Sequence, residues 1–88
     1  MKVKLLATLR DITDCKEVCL EASNINQVID ELIAEYGSAM ENKLLDDKEV
    51  RESLTILVNG RNILYLDGLE TELKTKDVVT IFPRVAGG

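Results

Sequence analysis

The chain opens with period two. Val3, Leu5, Ala7 and Leu9 share one face, and Lys2, Lys4, Leu6 and Thr8 take the other, which predicts a half-buried strand over 1–9. Arg10 to Asp14 reads as a polar connection. Alternation resumes over 16–22, where Val18 and Leu20 oppose Cys19 and Glu21, so a second strand and a hairpin are expected. The period then changes. Ile25, Val28, Ile29, Leu32, Ile33 and Tyr36 recur at helical spacing, the apolar stripe of an amphipathic helix facing a core. Asn24 is placed as its N-cap, Gln27 completes a capping box, and Gly37 suits a left-handed C-cap.

Met40, Leu44 and Leu45 suggest a short second helix, and the charged run Asp46-Asp47-Lys48-Glu49 reads as a solvated loop. Leu54 to Val58 has the composition of a buried strand. Asn59-Gly60 is the strongest short hairpin signal, because both positions tolerate positive φ, so Arg61-Asn62-Ile63 should return as a partner strand. Asp67-Gly68 marks another turn, Leu69 and Leu73 plug one end of the core, and Val78 to Phe82 forms the last strand. One amphipathic stripe and one sheet face need each other's cover. The expected fold is α+β, with one main helix packed across a mixed sheet of four to five strands. The folded body is expected over 1–82 and a flexible tail over 83–88.

Composition narrows the chemistry. Eighty-eight residues make one domain, and 45% of them are apolar, enough for a single modest core without a metal or a covalent staple. The net charge of −5 arises from 16 acidic and 11 basic residues that form no basic stripe, which argues against a nucleic-acid partner. There is no apolar run of membrane-spanning length and no signal-peptide pattern, so a cytoplasmic protein is expected. Cys15 and Cys19 lie four apart; on a strand their Cα atoms would be separated by roughly 13 Å, too far for a disulfide at about 4.4–6.8 Å. Histidine is absent, which removes the commonest general base and the commonest zinc ligand. Catalysis by this chain alone is not expected, and no metal or stably bound cofactor is implied.

The remaining chemistry lies at the end. Gly87-Gly88 follows Pro83-Arg84-Val85-Ala86. A proline stops the strand because it brings no N–H to the ladder. Six extended residues, Pro83 to Gly88, span roughly 20 Å at about 3.3 Å per residue. Glycine backbone enters a channel too narrow for a Cβ, and a terminal carboxylate, with a reference pKa of about 3.3–3.7, is ionised at neutral pH. It is not an electrophile, so reaction at its carbon needs activation from outside.

The order of elements, with Val58-Asn59-Gly60 and the ending Phe82-Pro83-Arg84-Val85-Ala86-Gly87-Gly88, resembles the ubiquitin-like β-grasp sulfur carriers. The MoaD branch, the small subunit of molybdopterin synthase, looks nearest, with ThiS-like carriers and archaeal ubiquitin-like modifiers beside it. Arg84 stands where that branch carries a second proline, and Lys76 where it usually carries glycine. The resemblance implies that an adenylating enzyme of the MoeB or ubiquitin-activating type, using ATP, joins AMP to the Gly88 carboxylate. Sulfur from a donor protein then displaces AMP, leaving a thiocarboxylate. In the MoaD branch the loaded tail enters a MoaE-like large subunit of molybdopterin synthase, which builds the dithiolene of the molybdenum or tungsten cofactor.

Gly88 is thus the expected reacting residue, and Gly87, Ala86, Val85, Arg84, Pro83 and Phe82 are the expected partner-binding residues. Phe82 packs either at a partner interface or in the core; Arg84 either pairs with a partner's acidic group or stays solvated. Two other readings stand beside this one. The chain could be a protein modifier joined through Gly88 to lysines, or a carrier for thiamine, cysteine or tRNA thiolation. A plain interaction module with passive terminal glycines is the third class.

Overall fold

The computed structural model describes residues 1–6, 9, 13 and 17–83. Strand β1 (Lys2–Leu5) pairs antiparallel with β2 (Glu17–Cys19), placing Val3 opposite Val18. Helix α1 (Ile25–Tyr36) and helix α2 (Ser38–Leu44) follow. A two-residue ladder, β3 (Leu45–Asp46) with β4 (Glu49–Val50), stands apart from the main sheet. Strands β5 (Leu54–Val58) and β6 (Arg61–Asn62) form a hairpin, and 3₁₀ turns at Ile63–Tyr65 and Gly68–Glu70 lead to β7 (Val78–Pro83). The main sheet has the order β2-β1-β7-β5-β6. β1 and β7 are parallel and the other pairs antiparallel, so the sheet is mixed, as expected.

The N-cap signal holds, and the capping box and the C-cap are met in altered form. Asn24 is extended at the N-cap, and its Oδ1 accepts from the Gln27 N–H at 2.9 Å. The Gln27 side chain reaches back one residue further than a standard capping box, accepting from the Ser23 N–H at 2.8 Å. At the other end the Gly37 N–H donates to the Ile33 carbonyl at 2.7 Å. Its φ of 75° is positive as expected, but ψ is −155°, outside the left-handed helical well and in a region that essentially only glycine enters. The chain turns sharply there into α2, whose Met40 and Leu44 are both fully buried.

The apolar stripe of α1 closes over one face of the sheet. Ile25, Val28, Ile29 and Leu32 join Val3, Leu5, Ile56, Val58, Val79 and Ile81 in one cluster, with Leu73 at its margin and Leu69 packed partly against it. The loop carrying Leu73 is fastened to the start of α1: the Leu73 N–H donates to the Ser23 carbonyl at 2.9 Å, and Asn24 bridges Glu72.

Four expectations need correction. The first strand ends at Leu5, and Leu9 is helical and 1% exposed. Leu5 and Leu9 are four apart, a spacing that serves a helix as well as a strand; Ala7 and Thr8 lie outside the described residues, as do Cys15 and Lys16. The second strand is shorter than 16–22, covering Glu17–Cys19. The run Asp46 to Glu49 is a tight hairpin, not a plain loop. Asp47 and Lys48 both take positive φ (52° and 70°), the backbone a two-residue turn needs to match strand twist. Ile63 belongs to a 3₁₀ turn rather than to the β6 strand.

Candidate functional site: the end of the central strand

β7 lies between β1 and β5 and is held on both sides. On one side the Leu6 N–H donates to the Ile81 carbonyl at 3.2 Å, the last parallel bond before β1 departs. On the other, Leu54 to Val58 run in register with Pro83 to Val79. The Asn59 N–H donates to the Val78 carbonyl at 2.8 Å. Since hydrogen-bonded and non-bonded pairs alternate in an antiparallel ladder, Leu54 and Pro83 form a non-bonded pair. The missing N–H of Pro83 therefore costs no bond to β5, and its ring faces the β1 side, two residues beyond the last pair, Leu5 with Ile81. Proline is tolerated at such a position and the ladder does not continue through it. The strand thus runs one residue beyond the expected Phe82, and Pro83 is its last member.

Alternation sorts the β7 side chains. Val79 and Ile81 are fully buried under α1, so Val78, Thr80 and Phe82 face the other way. Phe82 is half-buried and stands outside the hydrophobic cluster. Register sets Thr55 beside it and Leu57 beside Thr80, while Leu6, 41% exposed, follows the end of β1. The base of the last segment is therefore an apolar patch on the sheet face turned away from α1. Arg84, Val85, Ala86, Gly87 and Gly88 lie outside the described residues.

The start of β7 is fixed by a side-chain clamp. Asn59 Nδ2 donates to Asp77 Oδ1 at 2.9 Å, and Asn59 Oδ1 accepts from the Val78 N–H at 2.9 Å. Asp77 Oδ2 accepts from the Lys74 N–H at 2.8 Å. These bonds favour the ionised carboxylate, so the Asp77 pKa lies below its ordinary 3.8, chiefly through Asn59 and then Lys74. Asn59 (φ 51°) and Gly60 (φ 86°) form the turn that the Asn-Gly pair requires. One residue type thus makes the turn and locks the neighbouring strand.

Sequence reasoning missed another surface feature. Leu64 and Tyr65 are 81% and 88% exposed on the 3₁₀ turn after β6. In Ile63-Leu64-Tyr65-Leu66 only Ile63 is buried, and a continuous apolar run gives no sign of which member turns inward. Among the described residues no group of His, Cys, Asp or Glu could hold a metal ion, and no helix is long and apolar enough to cross a membrane.

The chain's relatives share this build. The profile of the ThiS family matches residues 3–88. Small archaeal modifier protein 3 of Haloferax volcanii is 33% identical, covering 100% of this chain and 98% of its own. Sulfur carrier protein CysO of Mycobacterium bovis is 33% identical over 83% of this chain and 81% of its own. The solution structure of small archaeal modifier protein 1 from Methanosarcina acetivorans superposes with a TM-score of 0.90 at 35% identity, covering 99% of this chain and 94% of that one.

Proposed function

The chain belongs to the ThiS family, whose members matched here are ubiquitin-like β-grasp sulfur carriers and modifiers, and from that premise we propose that it carries sulfur on the carboxylate of Gly88. In this reading an adenylating enzyme binds the folded body and draws Arg84 to Gly88 into its ATP site. The Gly88 carboxylate attacks the α-phosphate of ATP, forming an acyl-adenylate and releasing pyrophosphate. Sulfide attacks the acyl carbon, AMP leaves with the bonding pair, and a thiocarboxylate remains; a donor protein's persulfide attacks in the same way, and a second thiol then reduces the resulting acyl disulfide, leaving the thiocarboxylate and a disulfide on the donor side. Activation by phosphorylated leaving groups is needed because a carboxylate resists nucleophiles at its own carbon.

The observation that carries this reading is the end of β7. A strand clamped between two neighbours stops at a proline, and five residues ending in Gly87-Gly88 follow it. Gly88 supplies the reacting group, Gly87 the narrow backbone, and Arg84, Val85 and Ala86 the contacts within the partner's channel. Pro83 sets the departure point, and Phe82 rests against the partner at the base. In its finer form, the sulfur goes to a MoaE-like large subunit for molybdopterin synthesis, following the likeness of the Phe82-Pro83 to Gly87-Gly88 ending to the MoaD branch. The test is intact mass. With a MoeB-type activating enzyme, ATP and sulfide, the chain gains about 16 Da, oxygen replaced by sulfur; an unchanged mass and no adenylate reject the carrier reading. Conversion of the pterin precursor by the loaded chain with the large subunit tests the finer one.

A second reading is favoured by the 33% identity to an archaeal modifier over the whole chain: Gly88 is joined to lysines of other proteins. It shares the adenylate and differs in the acceptor. A Gly-Gly remnant on target lysines in peptide maps supports it, and none across growth conditions removes it.

A further inference from the structure

In the proposed function the last segment engages the activating partner from the Pro83 end of β7. A different surface lies on the edge formed by β2. The Met1 amine donates to the Leu20 carbonyl at 3.0 Å, and the Leu20 N–H donates to the Met1 carbonyl at 3.2 Å. Leu20 is thus bonded inward to the β1 side, and alternation along the strand turns the backbone groups of Cys19 and Glu21 outward. Among the described residues nothing bonds to them. Between this edge and α1 runs an open groove of about 700 Å³ lined by Val18, Cys19, Leu20, Glu21, Glu31, Glu35 and Tyr36.

The lining sets the occupant's chemistry. Half-buried Val18, Leu20 and Tyr36 make an apolar floor. Every charged group in the lining is a carboxylate, and among the described residues none of Glu21, Glu31 and Glu35 is in a salt bridge. We propose that this groove takes an extended segment of another protein, bearing lysine or arginine at alternate positions, as an added strand along β2.

Added strands draw affinity from main-chain bonds and specificity from alternate side chains. Here each basic side chain lays its methylene stem on the apolar floor and its charged head against the carboxylates, the arrangement long cationic side chains adopt at half-apolar surfaces. The two repeats are comparable in length: Glu31 and Glu35 are helical neighbours with Cβ atoms about 5–6 Å apart, and alternate residues of a strand are about 6.6 Å apart. The net charge of −5 draws such a segment in. Occupancy does not compete with the Gly88 end. Cys19 pairs with Lys2, and Lys2 with Val78, at the end of β7 remote from Pro83.

The test uses the full chain, ¹⁵N-labelled, titrated with a capped peptide of alternating valine and lysine. The amides of Cys19 and Glu21 are expected to shift and to exchange with solvent about tenfold more slowly at saturation. E31Q/E35Q is expected to weaken binding about five- to tenfold, and raised salt to weaken it further. Cys19→Pro removes an outward N–H from an edge strand, where proline is tolerated, and is expected to abolish the protection. Both variants should still gain sulfur with the activating enzyme, so failure here and failure of the carrier reading are separable. Equal binding of a valine–glutamate peptide, shifts spread evenly over the acidic surface, undiminished binding by E31Q/E35Q, or no shift at millimolar peptide would each overturn the proposal.

Discussion

The two faces of β7 carry opposite duties within six residues. Val79 and Ile81 are fully buried beneath α1 and share a cluster with Val3, Leu5, Ile56 and Val58. Thr80 and Phe82, their immediate neighbours in sequence, are half-buried on the face turned away from α1. One face anchors the strand; the other presents a surface beside the strand's last residue, Pro83. Because alternation is strict in a strand, the two duties can change independently, and a one-residue slip would exchange them. The register with both neighbours, five pairs with β5 and four with β1, prevents that slip.

This separation can be broken most completely beyond Pro83. Deleting Gly87 and Gly88 removes the proposed reacting group and no described contact. We expect sulfur loading and complementation to vanish, while the unfolding free energy stays within the range of a surface change, about 0.5 kcal/mol. Retained function in the truncated chain would return the protein to the class of passive interaction modules. On the covered face the outcome inverts. Ile81→Ala removes a fully buried side chain between β1 and β5 and should cost about 2–5 kcal/mol in urea unfolding, with loading normal for whatever fraction remains folded.

Phe82 gives the sharper comparison, being adjacent to Ile81 but on the other face. Phe82→Ala should cost under about 1 kcal/mol of stability, yet raise KM for loading about tenfold if the ring rests on the activating enzyme. A stability loss as large as that of Ile81→Ala would instead place the ring in the fold's own packing.

How far this division could be read from sequence depends on the range of the interactions. Local signals were legible. The α1 stripe, the Asn24 cap and the Asn59-Gly60 turn each follow from residues within a few positions, and each is present. So is the alternation that makes Val79 and Ile81 inward. Leu9 misled because its spacing from Leu5 satisfies both periods. The Asp47-Lys48 turn was hidden because its second positive φ is carried by a lysine, which seldom adopts it, and the flanking β3 and β4 are too short to show a period. The pairing of Asn59 with Asp77 spans eighteen positions, and no local pattern announces it. For the site, sequence named Phe82 and Pro83 but left Phe82 between two environments; only the sheet's register shows which face it takes.

The clamp at the start of β7 permits the finest test, through pH. Asp77 titrates below its ordinary 3.8, largely because Asn59 Nδ2 and the Lys74 N–H donate to the ionised carboxylate. A group whose pKa is lower folded than unfolded adds stability that is fully present above the unfolded value and is lost as pH falls through the folded one. Between those two values the unfolded chain binds more protons, so stability rises with pH there. Asp77→Asn should therefore flatten the stability–pH curve below about pH 4 and leave its slope near neutrality unchanged. Asn59→Ala should flatten the same limb partially, since the Lys74 N–H still favours the charged form. It should also lower hydrogen-exchange protection, most at Val78, whose N–H loses its acceptor, and least at Ile81. The effect is small because Asp77 lies near the surface, where solvent weakens each bond. An Asn59→Ala curve that coincides with the parent through the acid limb would show that the clamp does not hold β7, and that its covered face alone fixes the strand.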